Sequence, residues 1–331
     1  MDPVTHMMSG ALQGQLFRKP FGARWIYLFC GIAALLPDAD NLMGIFDPEL
    51  YLIHHRGITH SLLGAVFLVF LLAGVFRLFK VDFPFWRGVV VAYAGILAHI
   101  FLDLITSYGT QIFAPFSRGR YEIACVFIID PFFTLSLVLF FVITCFQERR
   151  RRLVAVLGLV WLVSYPMMNL GVRAGLEHSL EGRLNREGVT YNRIHVTTDA
   201  FTPVFWKVIV ENDSNYRMGS LSLLDPKSPL SYETFEKADM ALMRGLGERA
   251  SFFRTYAWFA GYPTMERASG SKGSRITFSD LRFYSSLDFV RNRIRGGEIP
   301  FSLTAVLDEA GTLVEYEYSR PRSTKFIQHL E

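Results

Sequence analysis

Four apolar segments in the first 175 residues are each long enough to cross a lipid bilayer, which requires roughly 20 apolar residues. They lie at about 61–79, 88–107, 126–146 and 153–175. With 51% hydrophobic and only 19% charged residues, the 331-residue chain is too apolar for an ordinary soluble domain. The segments therefore predict an α-helical polytopic membrane bundle with about four full spans.

Two shorter apolar segments precede these spans, at about 4–17 and 23–37. Helices of that length extend only about 22 Å, which is less than the roughly 30 Å hydrocarbon core. We interpret them as a short N-terminal helical hairpin that packs against the bundle and turns at Arg18-Lys19-Pro20. Such a hairpin returns His6 and Asp38 to the same end of the bundle.

Side chains that commonly bind metals stand at the edges of the apolar segments. They are Asp38 and Asp40 in PDAD (37–40), His55 and His60 in HHRGITHS (54–61), and His99 and Asp103 in AHIFLD (98–103). Because residues i and i+4 share a helix face, His99 and Asp103 can grip one cation together. Each residue alone fits equally well as a satisfied polar group at a helix end. Together they favour a functional site, since ionisable groups are costly near a bilayer.

Arg56, His54 and Asp130 are the candidate catalytic residues. Arg56 fits either a ligand for an anionic group such as a phosphate or an arginine that snorkels to the interface. His54 and the adjacent His55 face different directions, so only one of them is expected to bind a metal directly. Asp130 either orients a histidine or caps a helix that has Pro131 at its first position.

The composition of the candidate ligand set indicates which metals it suits. Imidazoles and carboxylates without cysteine suit zinc, manganese or iron, and the number of ligands predicts two or three divalent ions. Such ions most often lower the pKa of a bound water and clamp the oxygens of an ester. The sequence has no Gly-x-Ser-x-Gly elbow, P-loop or dinucleotide fingerprint that would offer a different mechanism.

Basic residues are concentrated on one side of the predicted topology. Ten lie in its hairpin turn and in two later connections: Arg18, Lys19, Arg24, Arg77, Lys80, Arg87, Arg149, Arg150, Arg151 and Arg152. The opposite connections carry only Arg56, Arg118 and Arg120. The positive-inside rule places the first set in the cytoplasm, so the candidate ligands face outward, toward the periplasm or exterior.

The character of the chain changes at about residue 177. Alternating apolar and polar residues at 190–223 and 274–319 predict hairpins, and 231–260 is typical of one or two amphipathic helices. We therefore predict a membrane-embedded domain at 1–176 and a soluble α+β domain at 177–331, which the topology places outside the cytoplasm.

Several motifs resemble the YdjM-type family of inner-membrane metal-dependent hydrolases. They are MDPVTHMMSGA (1–11), LLPDAD (35–40), HHRGITHSLLGA (54–65), LAHIFLDLITSYGT (97–110), APFS (114–117), VFIIDP (126–131) and, in the C-terminal domain, FTPVFWKVIVEND (201–213). That family looks distantly similar to zinc-dependent phospholipase C and single-strand nuclease enzymes, which are helical and carry an H-x-x-x-D pair like His99 and Asp103. The resemblance implies a set of metal ligands: His6, Asp38, Asp40, His55, His60, His99 and Asp103. The chain departs from the expected family pattern at Ala124 and Cys125, where an acidic and an aromatic residue are expected.

These observations predict a multi-pass protein of the cell inner membrane with a metal-dependent hydrolase site at its outer boundary. The expected substrate is a phosphoester of a lipid or a lipid-linked molecule. The net charge of +4 and the lack of a long basic run outside the membrane segments give no reason to expect a nucleic acid partner. The alternative is a metal transporter or sensor. A transporter would place ionisable residues along the middle of several spans, whereas here they cluster at one end.

Overall fold

The computed structural model describes most of the chain: 1–21, 23–79, 84–226, 228–270, 273–295, 299–319 and 325–330. The chain divides into two compact units. The first contains Met1–Met43, His54–Ala174 and Phe201–Pro203, and the second contains Gly44–Ile53, Gly175–Ala200 and Val204–Glu331.

The N-terminal half is helical. Its α-helices are α1 (Pro3–Phe21), α2 (Ala23–Leu35), α3 (Met43–Phe46), α4 (Pro48–His54), α5 (Leu62–Leu78), α6 (Phe85–Leu104), α7 (Pro131–Phe146) and α8 (Arg151–Arg186). Short 3₁₀ turns occupy Leu36–Leu42, Ile58–His60 and Glu148–Arg150. Three helical stretches of the described chain are long and apolar enough to cross a membrane: Trp25–Phe46, Phe85–Leu104 and Glu148–Arg186. The count rises to four if Pro48–His60 and Leu62–Leu78, which are bent by 72°, form one broken span.

The predicted helical membrane bundle is therefore confirmed in outline, but three segments differ in length from the prediction. The predicted span 153–175 lies within the 36-residue α8, which continues to Arg186. The 126–146 segment yields only the 16-residue α7, about 24 Å long, because Asp130 accepts a hydrogen bond from the backbone of Phe133 and starts the helix there. The 23–37 segment, predicted to be too short to span, instead continues through the 3₁₀ turn Leu36–Leu42 and gives the 22-residue apolar stretch Trp25–Phe46.

Helices α1 and α2 pack closely against each other, as the hairpin prediction requires. A Cβ atom at Gly10 would lie only 2.5 Å from the carbonyl oxygen of Cys30, so glycine permits the approach of the two backbones. The turn is not at Arg18-Lys19-Pro20, because α1 continues through these residues to Phe21. The connection passes through Gly22, which lies outside the described residues, as does Lys80.

Two apolar clusters hold the helices of the first unit together. One joins α2, α5 and α6 through buried residues that include Phe29, Val69 and Ile96. The other joins α1, α7 and α8 and includes Leu12 and Phe133. These clusters fix the ends of α2 and α6 beside the start of α5, which is the region where the candidate ligands occur.

The second unit contains two antiparallel sheets, each with its strands in sequence order. The first consists of β1 (Arg193–Thr198), β2 (Phe205–Glu211), β3 (Asn215–Ser222) and β4 (Glu233–Glu236). The second consists of β5 (Pro263–Gly270), β6 (Gly273–Asp280), β7 (Ser302–Leu307), β8 (Leu313–Ser319) and β9 (Phe326–His329). The helices that follow β1 in the described chain are α9 (Met240–Arg249), α10 (Ser251–Phe259) and α11 (Asp288–Arg295). The second unit also contains most of α3 and α4 and the end of α8.

The sheets confirm the predicted hairpins, but the secondary structure differs from the prediction in the 231–260 and 274–319 segments. The start of the 231–260 segment is not helical, because Glu233–Glu236 pairs with β3 and extends the first sheet. The rest of that segment forms α9 and α10, separated at Ala250. The 274–319 segment is interrupted by α11, which lies between β6 and β7.

Candidate metal centre

Helix α6 carries His99 and Asp103 one turn apart, and both side chains are buried. The Nδ1 atom of His99 lies 2.7 Å from the carbonyl oxygen of Ala34 at the end of α2. Because a carbonyl only accepts, Nδ1 carries the proton and Nε2 keeps its lone pair. That Nε2 atom lies 3.5 Å from Oδ2 of Asp103.

The two 3₁₀ turns bring further ligands to the end of α6. His60 Nε2 lies 3.0 Å from His99 Nε2 and 3.1 Å from Asp103 Oδ2. Asp38 Oδ1 lies 3.6 Å from His60 Nε2 and 3.8 Å from His99 Nε2. Four donor atoms, two nitrogens and two oxygens, thus form one compact group.

The spacing within this group fits a tetrahedral divalent ion. Bond lengths of about 2.0–2.1 Å place tetrahedral ligand atoms about 3.4 Å apart. Five separations between these donor atoms run from 3.0 to 3.8 Å. A proton on His60 satisfies only one of these contacts at a time, whereas a cation at the centre satisfies all four donors. The residues present therefore fit a metal such as zinc.

His6 lies beside this four-donor group and provides a second sign that it can hold a cation. Its ring stacks on that of His99 at 3.8 Å between centroids, and its Nε2 lies 3.3 Å from Asp103 Oδ1. In the described part of the chain both ring nitrogens of His6 are buried and neither makes a well-directed hydrogen bond, the approach of Nε2 to Asp103 included. Buried polar atoms are rarely left in this state, so they mark a place for a ligand. The amino group of Met1 also contacts Asp103.

Asp40 occupies a different position from the other predicted metal ligands. Its oxygens lie 2.9 Å from His55 Nδ1 and 3.1 Å from His60 Nδ1. They also accept hydrogen bonds from the backbone of Arg56 at 2.9 Å and from Thr59 Oγ1 at 2.8 Å. A carboxylate that holds two Nδ1 atoms leaves both Nε2 atoms available to a metal.

A second, overlapping group also has metal-ligand spacing. It consists of Asp38, Asp40 and His55, whose ligand atoms lie within 4.8 Å of one another. Asp38 belongs to both groups. The metal and the number of ions stay predictions.

Replacing Asp40 with asparagine is expected to weaken zinc binding by about 10- to 100-fold without abolishing it, because the change disturbs the orientation of histidines. Titration of the metal-free protein with zinc in competition with a chelator measures the effect. Asp213→Asn, in the C-terminal half, is the matched control. A complete loss of zinc from the Asp40 variant would instead identify Asp40 as an indispensable ligand.

Arg56 is buried among the ligands and does not snorkel to an interface. Its Nη2 atom lies 2.9 Å from Oδ1 of Asp103. Its Nη1 atom donates to the backbone carbonyl of Asp103 at 3.0 Å and to Thr106 Oγ1 at 2.8 Å. Its guanidinium also lies over the ring of Tyr108, 5.0 Å from the centroid. Arg56 therefore balances the charge of Asp103 at Oδ1, whereas His60 contacts Oδ2.

The other two candidate catalytic residues do not join the cluster. His54 ends α4 with an exposed side chain, since neighbouring residues on a helical turn point in different directions. Asp130 caps α7 and accepts a hydrogen bond from Tyr165 at 2.7 Å. No histidine in the described ranges contacts Asp130, so the structure shows the helix-cap alternative.

Sequence reasoning missed the groups that support the ligands. The carbonyl of Ala34 orients His99, and Thr106 connects Asp103 to Arg56. A backbone carbonyl leaves no signal in the sequence. Thr106 could have been found from its spacing, because a threonine three positions after Asp103 can donate a hydrogen bond to the Asp103 carbonyl. The structure shows this bond at 2.8 Å.

The fold and this cluster together define a helical membrane protein with a buried histidine–carboxylate group that can hold a metal ion. The chain belongs to the family described as YdjM inner membrane protein, which matches residues 1–174. The matched region contains every predicted ligand and ends before β1, so FTPVFWKVIVEND (201–213) lies outside it.

One curated relative gives a partial match. Over 146 residues the chain is 27% identical to the uncharacterized protein YfhP of Bacillus subtilis (strain 168). That alignment covers 41% of this chain and 44% of the relative, so the chain spans less than half of the relative's length. No solved structure matches the chain.

Proposed function

We propose that this protein is a membrane-bound metal-dependent hydrolase that cleaves a phosphoester of a lipid or lipid-linked substrate. The observation that carries the proposal is the four-donor group of Asp38, His60, His99 and Asp103, with separations that fit a tetrahedral zinc ion. If three of these donors held a zinc ion and water took the position of the partly exposed Asp38, the ion would supply an activated water and would polarise a phosphoryl oxygen.

The exposure of the four donors supports a catalytic centre that is open on one side. The side chain of Asp38 is 22% exposed, whereas those of His60, His99 and Asp103 are at most 1% exposed. A substrate therefore reaches the group from the side of Asp38. The Nε atom of Arg56 is buried without a hydrogen-bond partner in the described residues, which suits it to an anionic oxygen.

The position of the group along the helices supports an amphiphilic substrate. Asp38 follows α2 within the apolar stretch Trp25–Phe46, and His99 and Asp103 end the stretch Phe85–Leu104. Asp38 lies in the 3₁₀ turn after α2, and Asp103 lies in the last turn of α6. Ligands at the ends of these two helices suit a membrane–water boundary, where a lipid presents its head group while its tails stay in the hydrocarbon.

Elemental analysis of the purified full-length protein, combined with a screen of phosphodiester and phospholipid hydrolysis, tests the proposal. We expect bound zinc in the wild type and in His178→Ala, where an exposed histidine of α8 is removed. We expect loss of zinc and of hydrolysis in His99→Ala. Zinc without any hydrolysis would favour the transporter or sensor, and absence of any metal would refute the metal centre.

The membrane orientation can be tested separately. We propose a multi-pass inner-membrane protein with the site and the C-terminal domain outside the cytoplasm, because ten basic residues lie on one predicted side against three on the other. A reporter that is active only outside the cytoplasm should be active when fused after residue 186 and inactive when fused at Arg150. The reverse pattern would overturn the orientation.

A further inference from the structure

The segment Gly44–Ile53 lies in sequence between two parts of the ligand set and packs with a different part of the molecule. It belongs to the second compact unit, together with the two sheets, whereas Asp40 and His55 on either side belong to the first. The chain thus leaves the metal-binding unit after Met43 and re-enters it at His54.

The two ends of this excursion are joined at the metal centre itself. Asp40 and His55 are 15 positions apart in sequence, yet Asp40 Oδ1 lies 2.9 Å from His55 Nδ1. The segment Gly44–Ile53 is therefore part of a loop that is closed by the contact between Asp40 and His55, two residues of the candidate metal centre.

The middle of the loop is attached to α10 by two hydrogen bonds. Glu49 Oε1 accepts from Thr255 Oγ1 at 2.6 Å, and Glu49 Oε2 accepts from Ser251 Oγ at 2.8 Å. Ser251 is the first residue of α10, where the positive end of the helix dipole favours a carboxylate. Both oxygens of Glu49 are thus committed to one helix of the C-terminal domain.

We propose that Glu49 is a positioning residue through which the C-terminal domain holds the metal centre in its binding geometry. This inference rests on the proposed metal centre. Anchoring the middle of the loop reduces the conformations open to its two ends, so Asp40 and His55 stay in contact before a metal arrives. The C-terminal domain, which lies outside the family match, thereby acts on a centre formed by the family region.

The test uses full-length protein in detergent or nanodiscs, with zinc as the probe. Glu49→Ala removes both acceptors, and Ser251→Ala with Thr255→Val removes both donors from the other side. Glu248→Gln, an exposed carboxylate on α9, is the matched control. Two readouts are taken: the rate of zinc loss to a chelator, and amide hydrogen exchange of residues 41–55 in the metal-free protein.

We expect zinc loss about tenfold faster in Glu49→Ala and in the Ser251/Thr255 variant, as the loss of charged hydrogen bonds predicts. Combining Glu49→Ala with the Ser251/Thr255 substitutions should increase the rate of zinc loss little further, because both remove the same hydrogen bonds. Exchange should rise at 41–55 while the amides of β6 and β7 stay protected, which shows that the domain remains folded. Glu49→Gln, which keeps one acceptor, should fall between wild type and Glu49→Ala.

The outcomes separate this inference from the proposed function. Wild-type protein that binds zinc, with both variants releasing it at the wild-type rate, would overturn the role of Glu49 alone. Wild-type protein that takes up no zinc would overturn the metal centre and this inference with it. Faster exchange throughout β6 and β7 would show general loosening of the domain and would also overturn a positioning role.

Discussion

Replacing Asp103 with alanine is expected to abolish zinc binding and, with it, all metal-dependent hydrolysis. Asp103 supplies one of four donors and the carboxylate on which the group converges, since His60 Nε2, His99 Nε2 and Arg56 Nη2 all lie within 3.5 Å of its oxygens. Its loss removes a negative charge from the site and leaves Arg56 as an uncompensated cation beside the vacated position. Both changes weaken the binding of a divalent cation.

Asp103→Asn sharpens this experiment. The amide keeps the shape of the side chain but removes its charge, so a loss of zinc in both variants assigns the effect to the carboxylate. Zinc is measured by elemental analysis after gel filtration, and hydrolysis by release of the leaving group from a phosphodiester. The control is Asp199→Asn, which alters a buried carboxylate held by Ser285 and Ser286 in the second unit. If Asp103→Ala retained full zinc and full turnover, the metal centre would have to lie elsewhere.

The convergence of the ligands was accessible to sequence reasoning because it depends on local periodicity. His99 and Asp103 share a face of α6 by the i, i+4 rule, and a hairpin places His6 and Asp38 at one end. The separate roles within the cluster were not accessible. The orientation of the 3₁₀ turn Leu36–Leu42 determines that Asp38, and not Asp40, belongs to the four-donor group. The sequence does not distinguish the two, because both are aspartates and they are only two positions apart.

The differences in the fold have a similar origin. Hydropathy predicts a span at 126–146 because the residues before Asp130 are apolar, yet the capping contact of Asp130 delays the helix to Pro131. The strand at Glu233–Glu236 has no apolar alternation that marks it as a strand. It forms because it can pair with the edge of β3, and that pairing depends on the tertiary fold and not on the local sequence.

Arg56 gives the second large expected effect, on the stability of the metal-free protein. Arg56 and Asp103 form a buried ion pair, with side chains 5% and 1% exposed. Removing one partner of such a pair leaves a buried charge without compensation and typically costs about 3–5 kcal/mol. We therefore expect Arg56→Met to unfold at a clearly lower temperature than the wild type when zinc is removed by a chelator.

Zinc should restore much of this loss, since the ion supplies positive charge next to Asp103 and the four donors are unchanged in the variant. The stabilisation by saturating zinc is thus expected to be larger in Arg56→Met than in the wild type, while the zinc content stays the same. Thermal unfolding with zinc and with chelator measures both quantities. The double variant Arg56→Met with Asp103→Asn removes both charges and should be more stable than Arg56→Met alone in chelator.

The same variant separates the structural role of Arg56 from contact with a substrate. Contact with an anionic oxygen predicts that zinc-loaded Arg56→Met loses kcat/KM for a phosphodiester by at least tenfold while a neutral carboxylic ester is affected much less. Equal losses on both substrates would mean that Arg56 only shapes the site through Asp103. Unfolding of metal-free Arg56→Met at the wild-type temperature would contradict the ion-pair argument, because it would show that Asp103 does not need Arg56 to balance its charge.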